Sequence, residues 1–141
     1  MKLSTKTRYG VKAMLDIAYN SKDNPISIKC ISERQHISES YLEQLFALLR
    51  KAKLVKSIRG AQGGYILGKK ASEISVWDIM EVLEGPVEIS DCLDNSECNN
   101  SEVCATRLLW GKIKKSIDDV TKSITLQDML NDYLSMIHKE E

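Results

Sequence analysis

The chain has 141 residues, 43% hydrophobic and 28% charged, which is typical of a folded protein and argues against a disordered one. No long apolar run follows Met1, so we expect neither a signal peptide nor a membrane span, and we expect a cytoplasmic protein. The net charge is zero, yet residues 1–70 carry +9 (14 basic, 5 acidic) and residues 71–141 carry −9 (6 basic, 15 acidic), which predicts a polyanion-binding module joined to a part that does not touch the polyanion.

The pattern of capping and apolar residues over residues 4–35 predicts two helices. Ser4 or Thr5 can cap the first helix, whose apolar positions continue to about Asn20. An Asp-Asn-Pro turn follows, and Ser27 can then cap a second, shorter helix.

A third helix is predicted from Ser38 or Ser40 to about Ala52. Ser40-x-x-Glu43 has the form of a capping box, in which each side chain bonds to the backbone N–H of the other residue. The inward-facing positions recur at steps of three and four residues, as in an amphipathic helix. They are Leu42, Leu45, Phe46 and Leu49.

The hydrophobic period changes after the third helix. LVKSIRG alternates apolar and polar residues, and YILGK follows after GAQGG, which predicts two short strands around a glycine-rich tip. We expect Gly63 and Gly64 to supply turn conformations that other residues resist. Three helices and a hairpin are the order of a winged helix-turn-helix, so the predicted fold is mainly α with a small β-hairpin wing.

The second half predicts three further parts. Ser75 and Asp78 open a fourth helix and a Gly-Pro pair ends it, so we assign residues 1–85 to a winged helix-turn-helix DNA-binding domain. A cysteine loop is expected over residues 86–104. A long dimerisation helix and a C-terminal helix are expected over residues 105–141.

The long helix is predicted from about Val103 to Ser123, and Thr125 with Asp128 opens the last helix. The apolar stripe of the long helix exceeds what a small domain needs on one side, so it predicts a homodimer seam. The alternative is that the helix packs only on its own domain. The seam residues are Leu109, Ile113, Ile117 and Val120.

The second helix of a helix-turn-helix pair enters the major groove of DNA with its first turns. Here those turns hold Ser38, Ser40, Tyr41 and Gln44, and an amide such as that of Gln44 can bond to adenine at two atoms. Basic residues in and after this helix supply charge for phosphate groups. They are Arg50, Lys51, Lys53 and Lys56.

The hairpin tip holds Arg59 beside Gly60, an arrangement that suits an arginine inserted into a narrow minor groove. The expected partner is therefore double-stranded DNA, with no membrane and no small-molecule substrate. We do not expect an enzyme, because the sequence shows no nucleophile–base pair, phosphate loop or carboxylate pair with mechanistic spacing.

Three of the four cysteines, Cys92, Cys98 and Cys104, are equally spaced in CLDNSECNNSEVC. Clustered thiols in a cytosolic protein indicate metal or redox chemistry more than a structural disulfide. The five-residue gaps differ from the C-x2-C of zinc knuckles and suit a loop around a larger object. No Lys or Arg occurs between residues 71 and 106, and a bound cluster would offset the negative surroundings of the thiolates. These features favour an iron–sulfur cluster over zinc or bare thiols.

Three stretches carry a family resemblance: LSTKTRYGVKAMLDIA, ISERQHISESYLEQLFALLRKAKLVKSIRGAQGGY and C-x5-C-x5-C. The chain resembles the Rrf-type winged helix-turn-helix transcription regulators, most closely the iron–sulfur cluster regulators among them, from Met1 to about Asn131. The resemblance implies a homodimer on a palindromic operator, with Arg59 in the minor groove and Glu43 rejecting some sites until the cluster changes the protein's state. It places the major-groove contacts at Ser40, Tyr41 and Gln44.

The fourth cluster ligand stays open. The family's iron–sulfur regulators carry a histidine three residues after the third cysteine, whereas this chain has Arg107 there, and a guanidinium cannot donate to iron. Solvent or a group of the partner chain could complete the site. The candidates within this chain are Glu97, Ser101, Glu102 and Thr106. The resemblance slightly favours a 2Fe-2S cluster over a 4Fe-4S cluster.

Two other functions remain open. The first is a cysteine-metabolism or thiol-responsive repressor of the same fold without a cluster. Cys30 on the second helix is expected to be a semi-buried packing residue, with a redox thiol as the alternative. The second is a zinc-stabilised protein-interaction adaptor, which would hold zinc in the loop and would not bind DNA.

Overall fold

The structure is a computed structural model that describes residues 3–22, 24–89 and 104–139. The elements in chain order are α1 (Thr5–Asn20), α2 (Ile28–Gln35), α3 (Glu39–Lys51), β1 (Val55–Ile58), β2 (Gly64–Leu67), a short 3-10 turn (Ala71–Glu73), α4 (Val76–Leu83), α5 (Ala105–Ser123) and α6 (Leu126–Lys139). This order confirms the predicted mainly helical fold with a two-stranded antiparallel wing. Among the helices that the structure describes, none is long and apolar enough to cross a membrane.

The predicted caps of α2, α4 and α6 form, whereas Ser4 at the start of α1 makes no side-chain capping bond. The Ser27 hydroxyl accepts a hydrogen bond from the Cys30 backbone N–H at 3.2 Å, as expected at the start of α2. At the start of α3, Ser38 is the cap, and its hydroxyl accepts from the Tyr41 N–H at 3.3 Å. The predicted capping box of Ser40 and Glu43 is therefore wrong, because both residues lie inside the helix.

Two complete capping boxes lie side by side. Ser75 and Asp78 exchange side-chain-to-backbone bonds of 2.9 and 3.1 Å at the start of α4, and Thr125 and Asp128 do the same at the start of α6. The two starts are joined by the backbone, since the Val76 N–H donates to the Ile124 carbonyl at 2.9 Å. The C-terminal end of α5 and the starts of α4 and α6 are thus held together.

The core lies between α1, α2, α3, α4 and the wing. It includes Met14, Ile17, Ile31, Leu42, Leu45, Phe46, Leu49, Ile74 and Ile79, all fully buried. The Phe46 ring stacks on Tyr65 of β2 with ring centroids 4.7 Å apart. This contact packs α3 directly against the wing.

The wing is also bonded to the segment before α2. Ile26 and Tyr65 form an isolated antiparallel bridge, with N–H to carbonyl distances of 3.0 and 2.8 Å. Gly64 has φ +154° and a Cβ there would lie 2.4 Å from the Ile26 carbonyl oxygen, so only glycine fits. Gly63 has no positive φ. A larger residue is excluded there because the backbone is too close, since a Cβ would lie 2.2 Å from the Ile58 carbonyl oxygen.

Candidate nucleic-acid interface

A tight turn joins α2 to α3. His36 takes the left-handed conformation with φ 56°, and the Ser32 hydroxyl donates to the Ile37 carbonyl at 2.5 Å. Ile37 is buried and anchors the turn in the core. The two helices therefore keep one relative orientation, as a helix-turn-helix requires.

A partly buried ion pair fixes α2 on α1. Arg34 donates through Nη2 to Oδ1 of Asp16 at 2.7 Å and through Nε to Oδ2 at 3.0 Å, and the carboxylate also accepts from Gln35 and Asn20. The Asp16 side chain is 1% exposed and that of Arg34 is 40% exposed. Burial raises the pKa of Asp16, but the bonds from Arg34, Gln35 and Asn20 and the charge of Arg34 outweigh it and hold the pKa below its ordinary value.

The outward side of α3 is the recognition face, which consists of Ser38, Ser40, Tyr41, Glu43 and Gln44. All but Tyr41 are exposed, while the opposite side of the helix is buried in the core. Tyr41 is half-buried, because its ring lies edge-on against Tyr9 of α1 at 5.9 Å. The polar groups that the sequence predicted for base contacts therefore share one accessible face of the helix.

Basic side chains line an open groove of about 620 Å³ between the last turn of α3 and the wing. Four of them, Arg50, Lys53, Lys56 and Arg59, were predicted from the sequence, and Lys51 is exposed outside the groove. Lys69 was missed. The structure places it in the groove because Gly68 donates to the Leu54 carbonyl at 2.8 Å and returns the chain toward Lys53.

The wing tip presents Arg59 to solvent. Gly60 follows with φ 121°, and its carbonyl accepts from the Gly63 N–H at 3.0 Å to close the turn. Arg59 is exposed, as insertion into a minor groove would need.

Glu84 joins the end of α4 to the start of α1, a contact that the sequence analysis did not anticipate. Its carboxylate accepts from the Ser4 and Thr7 hydroxyls and from the Thr7 backbone N–H at 3.2 Å. Burial raises the pKa of Glu84, but these bonds outweigh it and leave the pKa below its ordinary value. A carboxylate at a helix N-terminus also complements the helix dipole.

Cys104 is the one loop cysteine within the described residues, and Cys92 and Cys98 lie outside them. It precedes α5, and its Sγ lies 3.0 Å from the Thr106 hydroxyl. The Thr106 hydroxyl, followed by the backbone N–H and the charge of Arg107, lowers the pKa of the Cys104 thiol. This favours the thiolate, which is the form that binds iron, so the chemistry of Cys104 fits a cluster ligand.

Cys30 departs from its prediction. It was expected to be semi-buried, but it is exposed, because Ile31 takes the inward position of α2. Its side chain lies outside the core and interacts with Arg34 of the same helix.

Residues 3–132 match the model of the Rrf2 family, which is described as an iron-dependent transcriptional regulator. The chain belongs to the Rrf2 family. The HTH-type transcriptional regulator IscR of Pectobacterium atrosepticum is 44% identical over 131 residues, covering 93% of this chain and 80% of that one. Rrf2 membership makes this chain a DNA-binding transcriptional regulator and not an enzyme.

Two solved Rrf2-like structures are similar over most of both chains. T. potens IscR has a TM-score of 0.79 at 50% identity, covering 94% of this chain and 88% of that chain. CymR, the global cysteine regulator of B. subtilis, has a TM-score of 0.79 at 42% identity, covering 93% of this chain and 97% of that chain. The fold therefore suits regulators of both kinds.

The predicted seam of this Rrf2 chain lies on one side of α5. Val120 is 55% exposed, Leu109 48% and Ile113 36%, while Ile117 is half-buried. The other side of α5 approaches α4, where Lys122 lies over the Trp77 ring at 4.8 Å. Packing within the protomer therefore leaves the apolar stripe accessible to a second copy.

Proposed function

We propose that the protein is a homodimeric transcription regulator that binds palindromic operators and senses iron–sulfur cluster status through Cys92, Cys98 and Cys104. The observation that carries the DNA-binding part is that α3 presents the recognition face near its start and reaches the basic groove at its end, since the face would supply base contacts and the groove phosphate contacts. Because such a regulator works at the chromosome, we place it in the cytoplasm.

The cluster part is supported by the spacing of the three cysteines and by the thiolate-favouring position of Cys104. A bound cluster supplies a centre whose oxidation state and integrity respond to oxidants and iron supply. The chain itself holds Cys104 at the N-terminus of α5, beside the predicted dimer seam. Thr106, a candidate for the fourth ligand, is within 3.0 Å of the Cys104 sulfur. A 2Fe-2S cluster is slightly favoured over a 4Fe-4S cluster.

Purification without oxygen is expected to yield a coloured protein with matched iron and acid-labile sulfide, and the stoichiometry decides between two and four irons. Cys98→Ala is expected to be colourless but folded, because the described core does not include the loop. Cys30→Ala is the matched control and should keep the colour, since Cys30 is exposed on α2. A colourless wild type, or a coloured Cys98→Ala variant, would contradict the cluster proposal.

Arg59→Ala is expected to weaken DNA binding by about 1–3 kcal/mol, because the proposed interface places this exposed wing arginine in the minor groove of DNA. The measurement is a titration at fixed salt of a duplex that the protein has selected from a random-sequence library. Lys115→Ala, which also removes an exposed cation but from α5, should bind normally. Equal affinities for the wild type and Arg59→Ala would remove the wing from the interface.

A second candidate function is a cysteine-metabolism repressor without a cluster, and the similarity to CymR favours it. In this case the protein would be colourless when fully reduced, yet it would still bind DNA. The iron and sulfide analysis and the DNA titration together therefore separate the candidates. A zinc-stabilised adaptor would instead contain stoichiometric zinc and would show no salt-dependent DNA binding.

A further inference from the structure

The exposed side of α3 changes in chemical character along the helix. Its first two turns are polar and present Ser40, Glu43 and Gln44. Its third turn presents Ala47 and Leu48, and 40% of Leu48 is exposed. The last turn is basic. Ala47 and Leu48 thus form an apolar step on the helix surface, between the predicted base contacts and the predicted phosphate contacts.

This step is not part of the core. The other leucines of α3 are at most 1% exposed and form the opposite side of the helix. They are Leu42, Leu45 and Leu49. Leu48 differs from them because 40% of it is exposed, so part of its side chain is available to a ligand.

The step is adjacent to Gln44. Ala47 and Leu48 follow it by three and four residues, and such neighbours on a helix have Cβ atoms about 5–6 Å apart. A ligand group that meets both Gln44 and the step must therefore offer hydrogen-bonding atoms and an apolar group side by side. In the major groove, the C5-methyl group of thymine is the apolar group at the base edges, and its partner adenine takes a glutamine amide.

We infer that Ala47 and Leu48 contact the methyl group of a thymine in the operator, next to the base pair that Gln44 contacts. This inference rests on the proposed DNA binding and adds a sequence-determining contact to it. The basic groove at the end of the helix favours DNA as the ligand, since its charge attracts the phosphate backbone to α3.

The experiment uses the full chain, purified without oxygen, and a duplex that it has selected from a random-sequence library. Each thymine of one half-site is replaced in turn by deoxyuridine, which removes only the methyl group. Dissociation constants are measured for the wild type, Ala47→Gly and Leu48→Ala. Met136→Ala is the control, because Met136 is an exposed apolar residue on α6, outside α3. Circular dichroism checks that each variant is folded.

Removal of the methyl group at one thymine position is expected to raise the dissociation constant of the wild type about fourfold. This corresponds to about 0.8 kcal/mol for one buried methyl group. At that position Ala47→Gly or Leu48→Ala should lose most of the penalty, while Met136→Ala should keep it. An effect of the methyl group on DNA shape alone would persist in every variant and would overturn the inference.

A selected duplex with no methyl-dependent position would overturn this inference and leave the proposed function intact. A protein that selects no duplex would overturn both.

Discussion

Replacing Arg34 with alanine is expected to lower the free energy of unfolding by about 3 kcal/mol at neutral pH, because it leaves the Asp16 carboxylate buried with only neutral donors. The exposed part of Arg34 keeps the expected loss at the lower end of values for buried pairs. The measurement is urea unfolding followed by circular dichroism. Arg50→Ala is the matched control, since it removes an exposed arginine from α3 and should stay within about 0.5 kcal/mol of the wild type.

The same variant has a predicted pH dependence. The pKa of Asp16 is lowered in the folded state, so the stability it contributes is present above its unfolded pKa of about 4 and is lost as pH falls through the lower folded value. Without Arg34 the folded pKa rises, and the variant loses less on acidification. The gap between the two proteins should therefore narrow below about pH 4. A gap that stays constant from neutral to acid pH would show that the charge of Asp16 does not contribute.

Placing a glutamate at Val120 is expected to convert the dimer to a monomer. The side chain is 55% exposed in the protomer, so folding should tolerate the change, whereas a seam would have to bury the charge. Affinity for a duplex with two half-sites should fall by about a hundredfold or more, because the second half-site is no longer linked to the first. Sedimentation velocity gives the oligomeric state, and titration of the same duplex gives the affinity.

Lys115→Glu is the matched control for this change. Lys115 pairs with Asp119 on the exposed side of α5 away from the stripe, with a separation of 2.9 Å. Its replacement introduces the same side chain at a cost of about 0.2–0.5 kcal/mol within the helix. It should remain dimeric. If Val120→Glu also remained dimeric, the stripe would not be the seam, and the α5 helix would belong to its own domain alone.

Local signals predicted much of this fold. Ser27, Ser75 and Thr125 were identifiable as caps, because a cap acts on a backbone N–H two or three residues away. The start of α3 was ambiguous, since Ser38 and Ser40 both satisfy the local rule. In the structure Ser38 is the cap, and the sequence alone offered no means of choosing it.

The contacts that position the site are harder to predict from sequence. Asp16 and Arg34 are 18 residues apart, and Glu84 meets Ser4 across 80 residues. A carboxylate in an amphipathic pattern is usually solvated, so nothing local marks these two as buried or capping. Lys69 joined the basic groove only through the register of the hairpin, in which Val55 lies opposite Leu67. A register drawn from the alternation of apolar residues could have found it.

The bridge between Ile26 and Tyr65, together with the stacking of Tyr65 on Phe46, holds α3 and the wing in one relative position. The distance between the recognition face and Arg59 at the wing tip is therefore set by the protein and does not adjust to the double helix. One inserted base pair separates two contact points along DNA by about 3.4 Å and rotates them by about 34°. An operator must therefore supply both the correct bases and the correct number of steps between them. A sequence whose helical repeat or groove width deviates must be deformed to fit, and the free energy of that deformation adds to the selection of sites.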